Sequence, residues 1–314
     1  MTEGVFEKRY GLQPAQAFRI IPLADQDLTE ERREWYRQAE NRYRLTQKYN
    51  KLRESLVRLL DDKIFVAESL RFVTSKITGI EVNSVTPKLE YEDTDSELPL
   101  SQKIKNIKVR KKDATLTKSV DIKSLRMLNE TLISRNLASL KEPPEPDTPE
   151  ILYRAFRDGA HTRHDRMLGF RCFRQPITMP YYHTGTLLSS QLVDQRDLRN
   201  HCEGCNPSDL IALSDSPSRI LKFITNWDFR DRGGDRIAVI NVQKLLAMGV
   251  LFNRTSTLAK SLGMELWTPI QPTGLQYANE NYWIAYRWIP AECIERYISI
   301  SSLEMACKNN TIGA

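Results

Sequence analysis

The chain has 314 residues, 40% of them hydrophobic and 27% charged, with 46 Lys plus Arg against 40 Asp plus Glu for a formal net charge of +6. That is enough apolar chain for one or two cored domains, so folding requires neither a disulfide framework nor a structural metal. The basic excess is small and evenly spread, 27 against 25 up to residue 150 and 19 against 15 beyond it, which excludes a nucleic-acid binder built on one strongly basic half.

Residues 1–28 form a flexible lead in which Glu3, Glu7, Lys8 and Arg9 take the place of the apolar core of a secretory signal. No apolar run approaches the roughly 20 residues of a membrane span. Five cysteines are an odd and sparse set, as expected of reduced thiols in an intracellular protein, cytoplasmic or nuclear.

Asp27 and Thr29 precede Glu30 and Glu31, a polar cap followed by first-turn acids, and open a long helix over 29–78. Neither Gly nor Pro interrupts it. Leu45, Tyr49, Leu52, Leu56, Leu59, Val66, Leu70, Val73 and Ile77 recur at alternating steps of four and three, broken at Lys63. This 3.5-residue period is that of a coiled-coil seam. Two readings follow: a homo-oligomer formed through the 45–77 stripe, with Lys63 snorkelling or setting register, or a hairpin packed on the later helix.

Residues 79–140 are expected to hold a charged loop and a second helix. Glu90, Glu92, Asp93, Asp95 and Glu97 precede Lys103, Lys105, Lys108, Arg110, Lys111, Lys112 and Lys118, two blocks able to neutralise each other. The basic block has no interleaved aromatics, so it reads as a solvated loop and not as a nucleic-acid contact. The second helix is expected at about Val120–Leu140, with Leu125, Leu128, Leu132 and Ile133 on one side. Pro143, Pro144, Pro146 and Pro149 among acids make 141–150 an extended linker.

Beyond the linker the texture changes. Four of the five Trp, all four His and all five Cys lie there, which places any chemistry in 151–314. Ile151–Phe156 reads as a strand carrying Arg154, Gly169–Phe173 as a second, and Leu210–Leu213 as a third. Ser214-Asp215-Ser216-Pro217 then caps a helix to Asn226. Ile237–Val242 is a strand entering a helix with Leu245, Leu246 and Met248, Tyr282–Ile289 is strongly β-prone, and Ile294, Ile298 and Ile300 mark a last strand. The sum is an α+β domain over 151–303 with a mostly antiparallel sheet, followed by a tail, 304–314.

This order of elements resembles the ADP-ribosyltransferase-like fold and, more closely, an uncharacterised domain found in many fungal proteins that shares it. The resemblance spans roughly Leu152–Ile300 and rests on position and order more than on a long motif. It implies that Arg154 on the first strand contacts the phosphates or ribose of NAD, and that Ser214 and Ser216, as a Ser-x-Ser strand end, support the nicotinamide-proximal ribose. It also implies a late-strand Glu that stabilises an oxocarbenium-like ribosyl cation. Here the pattern departs. The strand running into Trp288-Ile289-Pro290 puts Tyr282 at that position and leaves Glu280 two residues earlier. A neutral phenol cannot supply a carboxylate's charge beside a cation. Glu280 therefore takes the catalytic role through a bulge, or Glu265 takes it, or transfer activity is lost.

Other chemistries have weaker support. Cys202 and Cys205 form a C-x-x-C pair with His201 or His183 in reach, but a second ligand pair is missing, so zinc is not expected. His161 and His164 lie in a polar loop with no nucleophile elbow, and no glycine-rich phosphate loop follows a strand. The resulting expectation is an ADP-ribosyltransferase-like domain, active or degenerate in catalysis, that binds NAD and meets a protein target. The alternative is a non-enzymatic coiled-coil interaction module.

Overall fold

The computed structural model describes residues 29–80, 98–140, 147–157, 160, 162–172, 187–204, 208–226, 236–268, 274–275, 278 and 280–308. The lead, the acidic cluster Glu90–Glu97, most of the proline linker, and His161, His183 and Cys205 lie outside them. Two compact units divide the chain, Met1–Phe65 with Val85–Val120 and Val66–Ser84 with Asp121–Ala314. No helix among the described residues is long and apolar enough to cross a membrane.

Helix α1 spans Glu30–Thr78, and α2 spans Leu100–Leu137. The basic block expected as a loop is thus helical, because neither Gly nor Pro occurs from Leu100 to Leu137 and Ile104, Ile107 and Ala114 repeat on one buried face. In the first unit Lys111 Nζ donates to Ser55 Oγ at 2.7 Å, and Lys118 pairs with Asp62. Both contacts advance by seven residues along both helices, so the helices run parallel there and not antiparallel, as the hairpin reading would have them. Lys111 and Lys118 thus each meet a polar group of α1. Leu56, Val66 and Val73 of the 45–77 stripe are buried within the single chain.

The second unit holds nine strands among the described residues: β1 (Ile151–Phe156), β2 (Thr162–Asp165), β3 (Gly169–Cys172), β4 (Leu210–Ser214), β5 (Arg236–Asn241), β6 (Phe252–Arg254), β7 (Tyr282–Tyr286), β8 (Trp288–Ile289) and β9 (Ile294–Ser299). A six-stranded antiparallel sheet has the order β6-β7-β4-β1-β5-β9, and a smaller one the order β2-β3-β8. This is the α+β architecture expected. Helices α3 (Gln195–Glu203), α4 (Pro217–Asn226), α5 (Val242–Met248), α6 (Thr255–Ser261) and α7 (Ile300–Lys308) complete it. Leu198 of α3 and Leu258 of α6 share a core with Leu210 and Ile284. Ile220 and Ile224 of α4 pack with Ile300 and Leu303 of α7 over Ala155 and Ile237.

Ile300 opens α7 and does not end the last strand, because Ser299 Oγ accepts from Ser302 N at 3.1 Å and caps a helix there. The segment expected as a tail from residue 304 therefore begins inside a helix. At the start of β3, Gly169 has φ +83°, and a Cβ there would lie 2.0 Å from Ile289 O. Only glycine lets β3 approach β8 so closely. Arg287, at φ 62°, is the non-glycine residue in the left-handed region among those described. Its side chain donates twice to Asp209 Oδ2, at 2.7 and 3.0 Å, and its backbone donates to Asp209 O at 2.7 Å. That clamp holds the strained crossing from β7 to β8.

The second unit also includes the end of α2. The carboxylate of Glu292, almost fully buried, accepts from Arg126 Nε at 2.9 Å and Asn129 Nδ2 at 3.0 Å, and Asn136 Nδ2 donates to Ala247 O at 2.7 Å. A buried carboxylate needs such donors.

Candidate functional site

Three neighbouring strands carry the residues singled out by sequence. Six residue pairs join β1 to β5, from Ile151↔Asn241 to Phe156↔Arg236, and five join β4 to β7, from Leu210↔Tyr286 to Ser214↔Tyr282. Between β1 and β4 a single pair forms, Tyr153↔Ser214. This pairing is far shorter than those on either side of it, and leaves a fork between two well-paired halves of the sheet.

Arg154 stands at this fork. It is 8% exposed. Its Nη1 donates at 2.5 Å to Ala212 O, a carbonyl that an unbroken ladder would occupy, and its Nε has no partner among the described residues. The guanidinium lies 5.2 Å from the ring centroid of Phe170, which packs in turn on Phe156 and His164. No carboxylate pairs with it among the described residues. Burial lowers its pKa to about 10, and the groups that favour its charge are the thiol of Cys172 and the phenol of Tyr282. Those groups are themselves neutral: burial pushes Cys172 up to about 12 and raises Tyr282 further. A desolvated cation of this kind is costly unless an anion meets it.

Ser214 is buried, and its hydroxyl donates to Asn281 O at 2.8 Å while accepting from Ser216 N at 3.1 Å. These bonds lock the end of β4 to the turn before β7. Ser216 Oγ accepts from Arg219 N at 3.4 Å and caps α4. The hydroxyls of both serines are thus engaged, one in the turn and one in the cap.

Tyr282, directly across from Ser214, meets a histidine. Its hydroxyl lies 3.2 Å from His201 Nε2, and His201 Nδ1 lies 2.8 Å from Ser208 Oγ. Ser208 Oγ donates to Leu210 O at 3.5 Å. The network is satisfied when Nδ1–H donates to Ser208 and the phenol donates to Nε2. Burial lowers the His201 pKa to about 3, with the charge of Arg154 adding to it, so the imidazole is neutral at pH 7. Arg219 stacks over the Tyr282 ring at 5.5 Å.

Glu280 does not join this group. It is exposed in the turn ahead of β7, and Glu265 is exposed as well. The nearer carboxylates are committed elsewhere: Asp215 accepts from Trp283 Nε1 at 2.9 Å, and Asp209 holds Arg287. Among the described residues no group of three or more His, Cys, Asp or Glu is placed to hold a metal. Cys202 is buried, and its thiol is pushed up to about 12, which makes it a poor nucleophile. Phe170, Ser208 and Arg219 were not legible as site residues. Phe170 comes from β3, Ser208 from the segment ahead of β4 and Arg219 from α4, without a local motif.

A family profile described as a domain of unknown function (DUF7587) matches residues 147–303. No curated protein and no solved structure matches the chain. With half of its length inside that match, the chain belongs to the DUF7587 family.

Proposed function

We propose that residues 147–303 form an ADP-ribosyltransferase-like domain that binds NAD, or a ligand containing its ADP-ribose part, at the fork between β1 and β4, and that transfer activity is lost. The observation that carries this reading is Arg154, a buried guanidinium with an unfilled Nε and no carboxylate. A phosphate oxygen is the natural complement of such a group. Catalysis by bond cleavage at the nicotinamide ribose needs a negative charge beside the developing cation. The fork offers instead a neutral phenol at Tyr282, under the guanidinium of Arg219, with Glu280 in solvent.

Calorimetry with NAD, NADH and ADP-ribose tests the binding, and release of nicotinamide from labelled NAD tests the chemistry. NADH and ADP-ribose lack the pyridinium charge, so they are expected to bind at least as tightly as NAD. Nicotinamide release is expected to match that of Glu280→Gln. Absence of binding by all three ligands would remove the nucleotide reading, and release above the Glu280→Gln background would restore an enzyme.

The helical region supports a second role. The seven-residue steps from Ser55–Lys111 to Asp62–Lys118 fit a parallel coiled coil formed within one chain. Light scattering at micromolar concentration tests it: a monomer fits this reading, and an oligomer dispersed by Leu56→Asp would return the 45–77 stripe to self-association.

A further inference from the structure

Helix α2 buries one face and leaves the opposite one bare. In the first unit Ile104, Ile107 and Ala114 are buried, whereas Val109, Leu116 and Val120 are 61%, 62% and 64% exposed. At 3.6 residues per turn the second set points about half a turn away from the first. Its spacing of seven and four is that of an apolar seam. Single exposed apolar side chains are ordinary, but three large ones aligned on one helix face form a patch that water alone does not favour. Lys105 and Lys112 flank the seam, with Lys108 and Arg110 nearby, all four exposed and without a partner among the described residues. From Leu100 to Val120 the sequence holds one acid, Asp113.

We propose that this face of α2 receives an acidic amphipathic helix from another protein, whose apolar side chains cover Val109, Leu116 and Val120 while its Asp or Glu residues meet Lys105 and Lys112. The chemistry of the face selects this occupant. A second copy of α2 would set lysine against lysine, a repulsion that opposes pairing. A nucleic-acid backbone would answer the lysines and leave the seam wet. An acidic helix answers both, in the manner of helices that bind through anchors spaced along one stripe.

The test is fluorescence anisotropy of the full chain with a labelled peptide of about 20 residues, Leu at its a and d positions and Glu at e and g, beside the same peptide with Lys at e and g. The Glu peptide is expected to bind, with affinity falling about tenfold or more for Leu116→Ser, for Lys105→Glu/Lys112→Glu, and in high salt. The Lys peptide is expected not to bind. All substituted positions are exposed, so unchanged circular dichroism and melting temperature are expected for each variant. Equal binding of the two peptides, no binding of the Glu peptide, or indifference to Leu116→Ser would overturn the proposal. So would a dimer dispersed by Leu116→Ser, which would make a second copy the occupant. A tenfold gain on neutralising Glu90, Glu92, Asp93, Asp95 and Glu97 would likewise assign the face to the chain's own acidic segment.

Discussion

In the helical unit, part-buried cations are answered from within the chain: Lys118 and Asp62, 14% and 17% exposed at their side chains, pair with each other, and Lys111 finds Ser55. In the sheet unit Arg154 is buried more deeply and receives one backbone carbonyl. Lys118 and Arg154 both carry the desolvation cost of a charge, but only Lys118 has a carboxylate against it among the described residues. On the proposed function, the difference separates a polar group that specifies structure from one that waits for a ligand. A structural lysine has its counter-charge encoded 56 residues, or eight heptad lengths, away, whereas the fork presents its guanidinium beside the short pairing of β1 and β4.

Substitution at Arg154 breaks this contrast most directly. Arg154→Met keeps an unbranched side chain over Phe170 and removes the charge, so binding of ADP-ribose is expected to fall at least a hundredfold, about 3 kcal/mol. Stability in urea is expected to change by less than about 1 kcal/mol, since an uncompensated buried charge leaves with the arginine. If stability falls severalfold more than that while affinity holds, Arg154 is structural like Lys118. The converse substitution, Lys118→Ala, strands Asp62 and is expected to cost about 2–3 kcal/mol of unfolding free energy. Asp62→Leu added to Lys118→Met is expected to recover most of the loss, measured by the same urea titration.

Sequence made the satisfied region easier to read than the unsatisfied one, with one instructive error. The α1 seam was visible because Leu45 to Ile77 repeat at 3.5 residues. The first half of α2 was missed because its lysines draw attention from Ile104, Ile107 and Ala114, which carry the helical period. In the sheet unit, period-two strands and the Ser214-Asp215-Ser216-Pro217 cap gave β1, β4 and α4. Arg154 was legible as an arginine inside an apolar strand, which demands a partner. The fork was not legible, because the loss of pairing between β1 and β4 is a matter of register and twist that no residue type announces. Nor were the neighbours of Tyr282: His201 is 81 residues away in sequence, and Arg219 comes from the first turns of α4.

His201 sharpens the contrast in a pH titration. Its folded pKa is held near 3 by burial, against about 6.5 in an unfolded chain. Below pH 6.5 the unfolded state therefore binds a proton that the folded state refuses. Stability is full above pH 6.5 and declines as pH falls toward 3, by up to about 1.4 kcal/mol per pH unit. In His201→Gln this component is absent. The loss of unfolding free energy between pH 7 and pH 5 is expected to be about 2 kcal/mol smaller for the variant than for the natural chain. His164, whose pKa is also lowered by burial, contributes equally to both and cancels. An identical pH dependence of the two proteins would mean that His201 is already solvated in the folded state.

The smallest expected effect falls on the residue that the resemblance to transferases makes most prominent. Glu280 lies in solvent at the turn before β7, and the hydrogen bond from Ser214 to that turn goes to the backbone of Asn281 and not to the glutamate. Glu280→Gln is therefore expected to leave stability within about 0.5 kcal/mol of the natural chain, as at other exposed positions. Affinity for ADP-ribose is expected to be unchanged, because an exposed carboxylate outside the fork neither fills nor repels the Nε of Arg154 at close range. Binding weakened severalfold by this substitution would mean that the turn closes over the ligand and carries Glu280 into the fork. In that case the carboxylate missing beside Tyr282 is supplied on binding, and the contrast between a finished helical region and an unfinished sheet extends to catalysis itself.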